Sequence, residues 1–146
     1  MLYAEDLAVG QRFELGSYTI SEDEIVSFAK QYDPVSIHTD KEAAGKGPFG
    51  GLIASGFNTL AVYQRLIVEA VWTQVAGIVG RSFEVRLALP VRPGTCITGH
   101  SQTQSVTLRP ERRDGVVIVR TELTDGSGQT ILTVVADALI HSRPNS

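Results

Sequence analysis

The apolar residues near the start of the chain follow two different spacings. Between residues 11 and 20 they partly alternate with polar residues, which predicts a strand, and the slip at Gly16 is typical of a bulge. Between residues 22 and 32 they recur every three or four positions, which predicts a helix. Because Pro34 disfavours helical geometry at the residue before it, we expect this helix to end at about Asp33.

Two helix starts can be located from their capping residues. Ser21 and Glu24 have the spacing of a capping box, in which the Ser21 hydroxyl accepts the Glu24 amide and the Glu24 carboxylate reaches back to the cap amide. A second, short helix is predicted over residues 41–46, with Thr39 or Asp40 as its cap.

The most apolar segment of the chain predicts a long central helix from Gly56 to about Gln74, with Ser55 as its N-cap. Apolar residues occupy nearly every face of this segment, so we expect the helix to be buried. Its two charged residues, Arg65 and Glu69, have the spacing of an ion pair on one side of the helix.

The pattern after this helix is that of strands. The predicted strands cover residues 77–89, 95–109, 116–124 and 129–141. Strands and helices do not alternate, and the last strands are joined by hairpin turns. We therefore expect an α+β fold in which an antiparallel sheet wraps around one helix, as a single domain over residues 1–146. The last five residues are predicted to be a frayed tail.

Composition narrows the class of function. The chain has 146 residues, of which 42% are hydrophobic and 20% charged, and a net charge of −3, so no broad basic surface for nucleic acid or anionic lipid is expected. The N-terminus lacks a basic signal-peptide region and no apolar run is long enough to span a membrane, which favours a cytoplasmic setting. The single cysteine, Cys96, is expected to be a buried apolar residue, and no metal site is predicted.

The candidate chemistry lies between Asp33 and Gly56. Asp33 and His38 are five positions apart in a predicted loop, so a carboxylate and an imidazole could hold one water molecule as an acid–base pair. Alternatively, Asp33 only ends a helix and His38 only packs. Gly56 could offer an unpaired helix N-terminal amide to a carbonyl oxygen, or it could permit close packing against another backbone. Ser55 either caps the helix or points into the site.

This segment resembles the MaoC-like dehydratases and (R)-specific enoyl-CoA hydratases. The family's Asp-x4-His pattern is matched at Asp33 and His38, its Phe-Gly-Gly-x-Ile-Ala-His-Gly segment at residues 49–56, and its strand-end turn at residues 89–94. The resemblance implies a hot-dog fold and the addition or removal of water at the 2,3 double bond of an enoyl-CoA thioester. It also implies that Asp33 and His38 move the protons, that Gly56 holds the thioester oxygen, and that CoA belongs to the substrate, with no separate cofactor.

The chain departs from the family pattern in three places. Val35-Ser36 replaces an Asn-Pro pair, Ser55 stands where His is common, and Gln64 stands where some members have a Ser that lines the site. These changes imply altered substrate choice or lost activity. They also motivate one alternative, a non-catalytic acyl-CoA-binding subunit. A hot-dog acyl-CoA thioesterase is the second alternative, because such enzymes use the same helix N-terminus and need no Asp-x4-His loop.

The expected partners are an acyl-CoA thioester and a second copy of the chain. A single sheet on one helix leaves an edge and a helix end uncovered, which favours a homodimer or a higher homo-oligomer. The CoA phosphates require cations near the mouth of the site, and no one arginine is preferred. The candidates are Arg81, Arg86, Arg92, Arg109, Arg112 and Arg113.

Overall fold

The computed structural model describes residues 1–145, which form six strands and four α-helices. The strands are β1 (Arg12–Glu14), β2 (Tyr18–Thr19), β3 (Gly77–Leu87), β4 (Cys96–Arg109), β5 (Asp114–Thr124) and β6 (Thr130–His141). The helices are α1 (Glu22–Tyr32), α2 (Ser36–Thr39), α3 (Lys41–Gly45) and α4 (Gly56–Ile67), and α4 continues into a π-helical turn at Val68–Trp72.

The strands form one antiparallel sheet in the order β1-β4-β5-β6-β3, with β2 also paired to β4. Helix α4 packs on this sheet, and the largest side chains of the core come from both elements. They are Tyr63, Leu66 and Ile67 from the helix and Ile97, Leu123, Leu132 and Ile140 from the sheet. The predicted antiparallel sheet around a long helix is confirmed, and this is the hot-dog architecture that the resemblance implies.

The predicted first strand is divided into two short strands. Phe13 in β1 lies opposite Ser101, and Tyr18 in β2 lies opposite Ile97, so both pieces pair with β4. The interruption falls at Gly16, between the two pieces, as the slip in the apolar pattern indicates.

The prediction that α4 is buried on every side is wrong. Val62 and Tyr63 are buried against the sheet, but Phe57 is 69% exposed and Ala61 is also exposed. A one-layer sheet can cover only one face of a helix, so the other face of α4 lies open in the isolated chain.

The helix caps agree with the sequence only in part. The Glu24 amide donates to Ser21 Oγ at 3.1 Å, but the Glu24 carboxylate is turned toward Asn58, so the reciprocal half of the capping box is absent from the described residues. Asp40 is the cap of α3, because its Oδ1 accepts the Ala43 amide at 3.0 Å.

Two other side-chain predictions have opposite outcomes. The Arg65–Glu69 ion pair is present, with Nε and Oε1 3.0 Å apart. Cys96 is exposed, so the prediction that it is buried is wrong. The residue begins β4 opposite Thr19, and its neighbour Ile97 takes the inward position.

The C-terminal segment is held at its start. The Ser142 amide donates to the Arg113 carbonyl at 2.9 Å, and Arg143 pairs with Asp6, so the prediction of a frayed tail is wrong for these two residues. The end of that predicted tail, Ser146, lies outside the described residues. No helix within residues 1–145 has the length and apolarity needed to cross a membrane.

Strand β3 is a long open edge of the sheet. Its eleven residues are all exposed, whereas β1 at the opposite edge has only three residues. The large apolar side chains along it are Ile78, Val79, Phe83, Val85 and Leu87. A long apolar edge with unpaired backbone groups is a template for pairing with another strand.

Candidate active site

Asp33 and His38 come from two adjoining helices. Asp33 is the C-cap of α1, where Pro34 ends the helix, and His38 lies on the single turn of α2. The predicted loop around His38 is therefore a short helix. The structure brings the two side chains together, with His38 Nε2 3.4 Å from Asp33 Oδ2. The His38 side chain is 9% exposed and that of Asp33 28%, so the pair is reachable from one side.

The His38 ring is oriented by a backbone carbonyl. Its Nδ1 lies 2.7 Å from the Ile53 carbonyl oxygen, and because that oxygen can only accept, Nδ1 carries a hydrogen and donates it. In the neutral ring Nε2 is then an unprotonated acceptor that faces the Asp33 carboxylate, which is a second acceptor. Such a pair attracts a molecule that brings its own hydrogens, and water is the smallest one.

Ser55 caps α4 and also contacts Asp33. Its hydroxyl donates to Asp33 Oδ2 at 2.7 Å and accepts the Phe57 amide at 3.2 Å, and the residue is fully buried. The predicted N-cap is confirmed. Because one hydroxyl binds both the first turn of α4 and Asp33, the carboxylate is held next to the N-terminus of the central helix.

Gly56 is the first residue of α4. No acceptor within residues 1–145 takes its N–H, whereas the next amide, that of Phe57, is capped by Ser55. A Cβ at position 56 would lie 2.4 Å from Leu87 Cδ1, so any larger residue there would require the Leu87 side chain to shift. The close neighbour is thus a side chain of β3, and the alternative of packing against another backbone is wrong.

Two cavities meet at this point. One, of about 240 Å³, is lined by His38, Phe49, Ile53 and the turn after β3, and the other, of about 460 Å³, is lined by Asp33, Phe57, Leu60 and Val85. Gly56 and Leu87 line both cavities. The sequence offered no signal for Leu87, because its contact with Gly56 joins positions far apart in the chain.

Gln64 does not join the other candidate residues. It lies two turns along α4 and lines a separate cavity of about 270 Å³ with the π-helical turn and the start of β3. The walls of this cavity are mainly apolar and include Val68, Trp72, Ile78, Val79 and Phe83. Gln64 therefore lines a different cavity from Asp33, His38 and Gly56.

A second contact that the sequence did not indicate anchors α1 to α4. Asn58 Nδ2 donates to Glu24 Oε2 at 2.9 Å, and the Tyr18 hydroxyl donates to the other oxygen of the same carboxylate. Asn58 is 2% exposed and Glu24 is half-buried, so this bond is partly shielded from water. The contact fixes the start of the helix whose other end carries Asp33.

Two of the six candidate arginines are engaged elsewhere. Arg81 forms a two-pronged ion pair with Asp137, and Arg109 forms one with Asp114. The hydrogen bonds from Arg109 hold the pKa of the Asp114 carboxyl below its usual value. Within the described part of the chain, no cluster of three His, Cys, Asp or Glu side chains could bind a metal ion.

Known proteins resemble this chain over its whole length. A MaoC-like dehydratase from Rhodospirillum rubrum is 32% identical, with a TM-score of 0.92 over 99% of this chain and 100% of that chain. A structure described as a monoamine oxidase regulatory protein from Archaeoglobus is 28% identical, with a TM-score of 0.86 over 98% of this chain and 96% of that chain.

A shorter match exists to a curated protein. A 65-residue stretch, 44% of this chain, is 43% identical to the uncharacterized protein YdeM of Bacillus subtilis, and it spans 46% of that protein's length. The family model described as MaoC like domain matches residues 6–126, which include every candidate site residue. The chain belongs to the MaoC-like domain family.

Proposed function

We propose that this chain is a hydratase or dehydratase that adds water to, or removes it from, the 2,3 double bond of an enoyl-CoA thioester. One observation carries the proposal: two hydrogen-bond acceptors, His38 Nε2 and Asp33 Oδ2, face each other beside the uncapped amide of Gly56. Membership of the family and the 32% identity to a protein described as a dehydratase support the same class of reaction.

The reaction needs a carboxylate, an imidazole and a hydrogen-bond donor for the thioester oxygen at one place. A water molecule beside Asp33 and His38 donates a hydrogen to the pair, and its oxygen bonds to C3 of the acyl group while the pair returns a proton to C2. Negative charge develops on the thioester oxygen during this step, and the Gly56 N–H stabilises it at the positive end of α4. Dehydration follows the same steps in reverse.

Substitution of the pair tests this proposal. Asp33→Asn keeps the shape but lowers the basicity of the side chain, and His38→Ala removes Nε2. We expect each to lower kcat for crotonyl-CoA about 10²- to 10⁴-fold, the range for a lost acid–base group. Asp23→Asn and His100→Ala are the matched controls outside the site. Turnover like that of the unsubstituted protein in either site variant rules the assignment out.

The same assay separates the two alternatives. Hydration consumes the absorbance of the enoyl thioester and leaves the thioester intact, whereas a thioesterase releases a free CoA thiol that a thiol reagent detects. A binding subunit would saturate with acyl-CoA and change neither signal. Each outcome points to a different class, so one set of measurements on the unsubstituted chain distinguishes them.

We also propose that the working form is a homodimer joined through β3. The strand is long, apolar and exposed, and the open face of α4 that carries Phe57 lies beside it. Light scattering should give twice the mass of the chain. Val79→Lys places a charge on the exposed edge and should shift the mass toward that of one chain, while Arg86→Lys should not. A monomer at micromolar concentration contradicts this arrangement.

A further inference from the structure

Leu87 occupies an unusual place for an edge-strand residue. It is the last residue of β3 and is 57% exposed in the isolated chain, yet its Cδ1 would lie only 2.4 Å from a Cβ at position 56. A homodimer joined through β3 would cover part of this strand, but the contact with Gly56 lies within the chain itself. Leu87 is therefore the side chain that borders Gly56 from β3.

The side chain lies at the junction of the two cavities at the head of α4. His38 lines one and Asp33 lines the other, while Leu87 and Gly56 line both. A substrate that uses the Asp33–His38 pair and the Gly56 N–H together must occupy this junction. The shape of Leu87 therefore limits which acyl groups reach that position.

Resting on the hydratase function proposed above, we propose that Leu87 is a specificity-determining residue that restricts the site to thioesters unbranched at C2. C2 is bonded directly to the thioester carbon, whose oxygen the Gly56 amide would hold. A methyl group on C2 would lie two bonds from that carbon, close to Gly56, where Leu87 is the nearest side chain. The Leu87 isobutyl group would therefore compete with such a methyl group for space.

The effect of one methyl group on the kcat/KM of an enzyme has a known range. One methyl group that must be fitted into a tight apolar pocket changes kcat/KM by about 10- to 200-fold. Leu87→Ala removes the isobutyl group and opens the junction. We therefore expect the ratio of kcat/KM for 2-methylcrotonyl-CoA (the trans-2-methyl-2-butenoyl thioester) to that for crotonyl-CoA to rise at least about tenfold in this variant.

Val85→Ala is the matched control. Val85 lies on the same strand, lines the Asp33 cavity and is likewise exposed, but it does not line the His38 cavity. Its truncation should leave the ratio within about threefold of the original value. Leu87→Phe, which adds bulk, should lower the ratio. An unchanged ratio in Leu87→Ala, or an equal rise in Val85→Ala, overturns the assignment.

A binding measurement separates failure of this inference from failure of the proposed function. The unreactive thioesters butyryl-CoA and 2-methylpropanoyl-CoA differ only in where the methyl group is attached. Leu87→Ala should tighten binding of the branched thioester relative to the linear one by about tenfold, whether or not the protein turns over enoyl-CoA. Absence of turnover in the unsubstituted protein removes the hydratase proposal, and the binding ratio alone then decides the role of Leu87.

Discussion

The two ends of α4 differ in nearly every property that bears on chemistry. At the Gly56 end, the buried Ser55 hydroxyl binds both the helix and Asp33, and the ring of His38 is fixed by a backbone carbonyl. At the other end, a mainly apolar cavity lies between the π-helical turn and β3, and Gln64 is the one polar side chain among the residues that line it within residues 1–145. Eight residues, or about 12 Å of helix, separate Gly56 from Gln64.

Under the proposed hydratase function, this contrast assigns different parts of the substrate to the two ends of α4. Fixed hydrogen-bonding groups suit the reacting atoms, because they need no reorganisation when charge develops. An apolar cavity without fixed donors suits an acyl chain, whose binding depends on the area removed from water. Substitutions at the Gly56 end of α4 should therefore lower kcat for every substrate. Substitutions at the Gln64 end should change KM according to the length of the acyl chain.

Apart from the Asp33–His38 pair itself, the largest effect is expected at Gly56. In Gly56→Ala the new methyl group would lie 2.4 Å from Leu87 Cδ1, so one of the two residues must move. A displacement of about 1 Å at a reacting centre lowers turnover by about 10²-fold, and we expect a loss of this order in kcat for crotonyl-CoA. The double variant Gly56→Ala, Leu87→Ala should recover at least a tenth of the original rate. No recovery would mean that the contact with Leu87 is not the cause.

Ser55→Ala should have the next largest effect. The variant removes the bond to Asp33 and leaves the Phe57 amide unpaired, so we expect the free energy of unfolding to fall by about 1 kcal/mol, as for other lost caps. Because Asp33 loses the partner that orients it, kcat should fall about tenfold for short and long substrates alike. Ser55→Thr keeps the hydroxyl and serves as the control. A change confined to KM contradicts this role.

The sequence predicted the polar end of α4 better than its surroundings. Asp33, His38, Ser55 and Gly56 lie within 24 positions of one another. Asp33, Ser55 and Gly56 each follow a local rule for a helix end, and His38 is indicated by its spacing from Asp33. Such rules depend on neighbouring residues, so they are visible in one sequence.

The contacts that the sequence did not predict join distant segments. Leu87 reaches Gly56 from the end of β3, and Glu24 reaches Asn58 instead of its own helix cap. The exposure of residues such as Phe57 is not predicted by the sequence, because the apolar pattern of a helix does not reveal how many of its faces the sheet covers. These features depend on the packing of elements against one another, for which a single sequence carries no local signal.

Substitution of Gln64 tests the role of the apolar cavity at the far end of α4. Gln64→Leu makes the cavity walls wholly apolar at a position that is partly open to solvent. Each methylene group newly removed from water contributes about 0.8 kcal/mol, so KM for an eight-carbon enoyl-CoA should fall about threefold to fivefold. The values for crotonyl-CoA should stay within twofold, because a four-carbon chain held at Gly56 does not extend to this cavity. An equal change for both substrates would mean that the two ends are not separate.

Tyr63 lies between the two ends of α4. Its substitution should change neither kcat nor chain-length preference at neutral pH. Burial raises the pKa of Tyr63 to about 12 from 10.0, and a contact with the Thr121 hydroxyl acts in the opposite direction. At a pH between these two pKa values, the unfolded chain releases the phenol proton while the folded protein retains it. Stability is thus fully present below pH 10 and falls as the pH rises toward 12, by up to about 3 kcal/mol for two pKa units.

The comparison that isolates this effect is with Tyr63→Phe, which lacks the titrating group. Chemical denaturation at pH 8 and pH 11.5 should show a smaller loss of stability in the variant than in the unsubstituted protein, while kcat and chain-length preference at pH 7.5 stay the same. Ser101 still bonds to Thr121 at 2.7 Å, so the Thr121 hydroxyl keeps a partner in this variant. If Tyr63→Phe changed kcat, the middle of the helix would transmit strain to the Gly56 end, and the two ends would not act independently.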